Sequence, residues 1–362
     1  MPALAPLFTL AELDAAETVV RRHVPPTPQY AWPLLAEAVG TETWVKHENH
    51  TPTGAFKVRG GLVYFDQLAR SLVPHGSVRP DHDRRLDGAP MSQTRRVCGS
   101  LVPRSRNDVA GVVTATRGNH GQSVAFAGSA AGIPTTVVVP LGNSPEKNAA
   151  TIAFGAKLIE HGHDFQAARE YAGRLADEQG LVMLPPFRPE LVTGVATYAR
   201  EFLVGAPPLD AVYVPVGMGS GICGLIGVRD LLGLATEIIG VVAQQAPATQ
   251  LSFAAGHVVS TDRAATFIDG VACRVPDETA IATIVRGAER IVTVTEDACA
   301  EAVRVLLRAT HNVAEPAGAI ALAGLLGERD AQRGRRVGVI LTGGNIDGPM
   351  LADILAGRTP AP

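Results

Sequence analysis

The sequence is poor in cysteine and aromatic residues and carries no excess of either charge. Four cysteines among 362 residues, at 98, 223, 273 and 299, lie too far apart for any Cys-x-x-Cys pair. That excludes a disulfide-stapled scaffold and fits a reducing, cytoplasmic compartment. Thirty-two Lys and Arg against 35 Asp and Glu leave a formal charge of −3. No global positive field exists to draw in nucleic acid or an anionic membrane. Residues 1–20 carry Glu12, Asp14 and Glu17 and lack the basic and then apolar regions of an export signal. The charge-free stretch 211–228 is long enough to suggest a membrane span, but Pro215 and glycines at 217, 219, 221, 224 and 227 interrupt it. A strand turning into a helix accounts for it better.

What is present is a large apolar fraction, 46%, with 38 Gly and 26 Pro. Such a chain buries real cores and turns often, and its length suits two lobes. β-branched runs at 109–114, 135–139, 157–160, 211–216, 238–242 and 337–341 read as buried parallel strands. Helical patterns at 121–131, 165–178, 297–309 and 316–326 fall between or beside them. The fold class is therefore α/β, with twisted, mostly parallel sheets flanked by helices. Residues 71–110 break the pattern. They hold four prolines and seven arginines, no lysine and few large apolar residues, and read as a mobile surface insertion.

Four segments can carry chemistry. The run Val214 to Gly224 follows a strand and opens a helix, which is where backbone N–H groups and the helix dipole hold a phosphate. No cationic side chain lies between Asp210 and Arg229 to help. Gly219, Gly221 and Gly224 satisfy G-x-G-x-x-G, so a nicotinamide-dependent oxidoreductase is a competing reading. No acid for a ribose occurs between Glu237 and Asp262, which favours a single phosphate monoester and also argues against a divalent-metal site there. Lys57 follows Phe56 at the start of a helix expected over 56–68. It reads either as a desolvated nucleophile or as a surface residue of a first turn. Thr116-Arg117-Gly118-Asn119-His120 runs from a strand end into a helix N-terminus and suits a carboxylate ligand. Leu341-Thr342-Gly343-Gly344-Asn345 is a further strand-to-turn junction with a hydroxyl at its mouth.

Together these segments resemble the fold-type II pyridoxal 5′-phosphate enzymes, in particular their threonine/serine dehydratase (ammonia-lyase) branch. Pro52-Thr53-Gly54-Ala55-Phe56-Lys57-Val58-Arg59-Gly60 is similar to that family's P-T-G-S-F-K-x-R-G signature, and the other motifs follow in the family's order. The resemblance implies pyridoxal 5′-phosphate on Lys57 as a Schiff base, with Phe56 packed beside it and Asn119 on its ring hydroxyl. It implies Gly217, Met218, Gly219, Ser220 and Gly221 as the phosphate cradle, Thr342 at the pyridine nitrogen, and Glu315 and Asp269-Gly270 at the cofactor's border. The amides of Thr116, Arg117, Gly118, Asn119 and His120 are implied to bind a substrate carboxylate.

A large cofactor-binding domain is implied at 1–70 and 189–362, and a small mobile domain at 111–188. The implied reaction is dehydration and deamination of a β-hydroxy α-amino acid, L-threonine or L-serine first, to a 2-oxo acid and ammonia. 3-Hydroxyaspartate and phenylserine are alternative substrates. Arg117 stands where serine racemases carry a serine base, so racemisation is not expected; it can instead bond a second carboxylate or a neighbouring one. No regulatory ACT domain, no metal and no nucleic-acid or membrane partner is expected. A homodimer or tetramer is implied.

Overall fold

The computed structural model describes residues 6–72 and 109–361. All but a few residues of the expected insertion at 71–110 lie outside them. Ten strands are present among the described residues: β1 (Gln29–Ala31), β2 (Glu42–His47), β3 (Gly111–Ala115), β4 (Thr135–Val139), β5 (Lys157–Glu160), β6 (Leu181–Met183), β7 (Ala211–Pro215), β8 (Glu237–Ala243), β9 (Arg290–Val294) and β10 (Arg336–Leu341). One sheet has the order β1-β2-β10-β7-β8-β9, parallel except for β1; the other is β5-β4-β3-β6 and wholly parallel. The strands β3 and β7 are buried along their whole length, as continuous apolar runs covered by helices on both faces must be.

The helices that cover these sheets also locate the site. The helix Pro316–Gly327 is apolar all round and buried from Pro316 to Leu325, so it serves as core rather than surface. The helix Lys57–Ser71 is gripped by two others, Asn119–Ala131 and Pro189–Gly205, at positions where only glycine fits. A Cβ on Gly61 would stand 2.4 Å from Ser123 Oγ, and one on Gly194 would stand 2.4 Å from the Arg59 carbonyl oxygen. Small residues let the backbones touch, and the first turn of Lys57–Ser71 is thereby fixed between the two sheets. The carboxyl ends of β2, β3, β7 and β10 all open toward that turn. In open parallel sheets this is the edge where ligands bind. No described helix is long and apolar enough to cross a membrane.

Candidate active site

The start of the helix Lys57–Ser71 is tied to the end of β10 by main-chain bonds. Phe56 N–H donates to the Thr342 carbonyl (3.0 Å), and Gly344 N–H donates to that of Gly54 (2.9 Å). Two residues beyond Lys57, Arg59 is wholly buried and donates to Glu48 (Nε, 2.7 Å) and to Glu201 (Nη1, 2.7 Å), while buried Lys46 also meets Glu201 at 2.6 Å. Paired charges of this kind are costly to break, so the network anchors the turn that carries Lys57.

Lys57 itself is partly buried, and its ammonium stands 4.7 Å from the centre of the Phe56 ring. No ion pair or hydrogen bond among the described residues holds that nitrogen. Burial lowers its pKa below the ordinary lysine range; the nearby Glu315 opposes the shift and Lys147 reinforces it. Of the two readings open from the residues, the desolvated amine is the one this environment matches.

The Phe56 ring leads to the glycine-rich turn. It meets Tyr198 edge-on with centroids 6.1 Å apart, and the Tyr198 hydroxyl donates to the Gly221 carbonyl at 3.0 Å. In the turn after β7, Gly219 has φ +98°, a conformation that favours glycine, and a Cβ on Gly217 would lie 2.3 Å from the Gly270 carbonyl oxygen. The N–H groups of Gly217, Met218, Gly219, Ser220 and Gly221 have no partner among the described residues. Met218 Sδ lies 3.6 Å from Cys273 Sγ at the rim. Consecutive free amides at the start of the helix Ser220–Leu231 are what an anionic group requires. A free amine beside an aromatic ring, joined through that ring to an anion cradle, fits pyridoxal phosphate.

The other expected residues converge on the same edge, some with partners the sequence did not foretell. Asn119 Nδ2 donates to Glu315, and Asn119 Oδ1 accepts from Asn345 Nδ2 at 2.9 Å. Glu315 is the N-cap residue of the helix Pro316–Gly327, yet its carboxylate makes no capping bond. Burial raises its pKa above the usual carboxylate range against the pull of Lys147, Lys57 and Asn119. Thr342 is buried, and its hydroxyl donates to the Ala317 carbonyl at 3.2 Å.

In the turn after β3, the Thr116 N–H is taken by Val138 and that of Gly118 by Thr116 Oγ1. The amides of Arg117, Asn119 and His120 are therefore left facing the site without a partner among the described residues. His120 is 6% exposed and its Nε2 is buried without a partner; burial, and then the Lys57 cation, push its pKa down to about 4. Arg117 is half exposed and lies 3.8 Å from Asp269.

Two neighbours had no assigned role before the fold was known. Asn345 bridges Asn119, the Thr53 carbonyl (2.8 Å) and Gln122 (3.3 Å). Lys147, in the first turn of the helix Pro145–Ala153, reaches past Gly118 toward Asp269 at 3.9 Å. A lysine in an amphipathic first turn carries no sequence signal that separates it from a solvated one.

Comparison with known proteins agrees with this geometry. A family profile described as pyridoxal-phosphate dependent enzyme matches residues 20–343. The L-threonine ammonia-lyase of Thermotoga maritima is 29% identical over 96% of this chain and 78% of its own length. The L-threo-3-hydroxyaspartate ammonia-lyase of Saccharomyces cerevisiae is 28% identical over 97% of both chains. A solved bacterial-type threonine deaminase, from the source abbreviated T.th., superposes with a TM-score of 0.76 at 28% identity, covering 94% of this chain and 99% of that one. With a family match across most of its length and the lysine, asparagine and glycine turn gathered at one sheet edge, the chain belongs to the fold-type II pyridoxal-phosphate-dependent enzymes, in their threonine/serine ammonia-lyase branch.

Proposed function

We propose that the protein converts a β-hydroxy α-amino acid, L-threonine or L-serine among them, into a 2-oxo acid and ammonia. Membership of the pyridoxal-phosphate enzymes sets the nicotinamide reading aside. The observation that carries the proposal is the Lys57 amine, free of ion pairs and desolvated, standing over Phe56 within reach of an empty-handed row of amides. When bound, pyridoxal phosphate supplies an electron sink that acidifies the substrate Cα–H bond. Lys57 would hold the cofactor and, once released, accept the Cα proton at Nζ, a task for which a lowered pKa suits an amine. The amides of 217–221 would hold the phosphate and those of Arg117, Asn119 and His120 the substrate carboxylate, fixing which Cα bond breaks. Thr342 offers a neutral hydroxyl at the ring nitrogen in place of a carboxylate, which favours expulsion of the β-hydroxyl over deeper charge storage.

The small sheet unit, residues 111–188, would move against the large one to admit substrate. Four sparse cysteines, of which Cys223, Cys273 and Cys299 are free and buried, support a cytoplasmic setting, and family kinship supports a homo-oligomer. The direct test incubates the purified yellow protein with threonine and serine. Ammonia and 2-oxo acid should accumulate in equal amounts, and Lys57→Ala should lower turnover by at least a thousandfold and remove the visible absorbance. An active, yellow Lys57→Ala enzyme would overturn the assignment.

A further inference from the structure

The mouth of the site holds two cations and one carboxylate. Arg117 extends from the turn after β3 and Lys147 from the helix Pro145–Ala153, and both face Asp269, whose side chain is 40% exposed. The contacts are loose: Arg117 Nη1 is 3.8 Å from one carboxylate oxygen and Lys147 Nζ 3.9 Å from the other. Charge-assisted hydrogen bonds close to about 2.7–2.9 Å, so neither cation is satisfied by this acid. Lys147 is also not a surface lysine that happens to be near. Its side chain is only 14% exposed and fills the space beside Gly118, with Cδ 3.4 Å and Nζ 3.8 Å from where a Cβ on that glycine would stand. A cleft lined by Lys147, Asp269, Gly270, Glu315 and Asn345 opens there. The one other acid close by, Glu315, is buried and already accepts from Asn119. A substrate with a single carboxylate, held on the amides of residues 117–120, leaves one positive charge of this cluster uncompensated.

We propose that Arg117 and Lys147 form a second anion subsite for a carboxylate on the substrate's β-carbon, so that the preferred substrate is a β-hydroxy α-amino dicarboxylic acid rather than threonine or serine. This deepens the ammonia-lyase reading and rests on it. The reaction stays balanced without oxidant or reductant: the Cα–H and Cβ–O bonds break, water leaves, and hydrolysis takes water back as ammonia departs, giving a 2-oxo dicarboxylate. Arg117 supplies a planar donor pair and Lys147 a compact charge, and the added carboxylate brings the cluster to two positive and two negative charges.

The test measures kcat/KM of the holoenzyme for L-threo-3-hydroxyaspartate, L-threonine and L-serine. In parallel, calorimetry follows binding of two unreactive probes, succinate and butyrate, which differ by one carboxylate. Hydroxyaspartate should exceed threonine at least tenfold in kcat/KM, and succinate should bind at least tenfold more tightly than butyrate. Lys147→Met should cut the hydroxyaspartate-to-threonine ratio at least tenfold, mainly through KM, and erase the preference for succinate; Lys147→Arg should restore both. If Lys147→Met does not fold, Arg117→Leu is read by the same two ratios. Ratios that do not move in the variants overturn the subsite. No turnover of any of the three amino acids overturns the ammonia-lyase reading instead, and the succinate-to-butyrate ratio then still decides the subsite.

Discussion

The chain has four lysines, and their surroundings differ enough to separate their roles. Lys46 is buried and paired with Glu201, Lys157 lies exposed at the start of β5, Lys147 faces Asp269, and Lys57 alone combines enclosure with the lack of an anionic partner. Next to it, His120 illustrates what such enclosure costs. Its pKa in the folded state is about 4 against an ordinary 6.5, so the unfolded chain binds the extra proton first as pH falls. The stability from keeping this imidazole neutral is fully present above pH 6.5 and drains away between 6.5 and about 4. A shift of this size corresponds to about 3 kcal/mol at most. His47 is pushed to about 4 as well, by burial and by His50, and titrates over the same window. Urea unfolding of His120→Leu at pH 7 and pH 4.5 should therefore show a smaller loss on acidification than the wild type. An identical loss in both proteins would mean that His120 is not held neutral by the fold.

Turns after strands, more than the strands themselves, build the site, and the glycine turn after β7 is the most constrained of them. Gly217→Ala would drive a methyl into the Gly270 carbonyl, whose oxygen lies 2.3 Å from the Cβ position, and backbone must give way. Cofactor affinity, read by absorbance on titrating the stripped protein with pyridoxal phosphate, should fall at least tenfold. Gly173→Ala is the control, since nothing lies within 4 Å of its Cβ position, and should leave affinity unchanged. Equal affinities for both variants would contradict the cradle.

Six of the strands were legible as β-branched runs, the four expected helices appeared with ends moved by a few residues at most, and the helix expected over 56–68 forms as Lys57–Ser71. Strand β2 was not legible, because Glu42, Lys46 and His47 make it look polar; its polarity is spent on buried partners that only the fold reveals. Strand β9 hid for a similar reason, opening on Arg290, which pairs with Glu328 at 2.8 Å. The motif residues of the site were legible because their types at strand ends carry a chemical meaning. Asn345 and Lys147 were not assigned, since their roles depend on neighbours more than a hundred residues away.

At the scale of the whole molecule, the two sheets meet around the site through polar contacts. Ser144 donates to Asp347 at 2.5 Å, Gly348 N–H donates to Glu146 at 3.0 Å, and Asn345 spans to Asn119 and Gln122. Residues of the four-stranded unit thus close over an amine that belongs to the six-stranded one. An apolar seam would lock the two units together, whereas a polar one exchanges its partners with water at little cost and allows opening.

Everything proposed for this enzyme requires that the amine under that seam carries the cofactor. Borohydride reduction of the yellow protein, followed by peptide mapping by mass spectrometry, tests this most directly. A single pyridoxyl phosphate adduct on the peptide containing Lys57 is the predicted result. An adduct on Lys147 or Lys46, or none at all, would contradict the account.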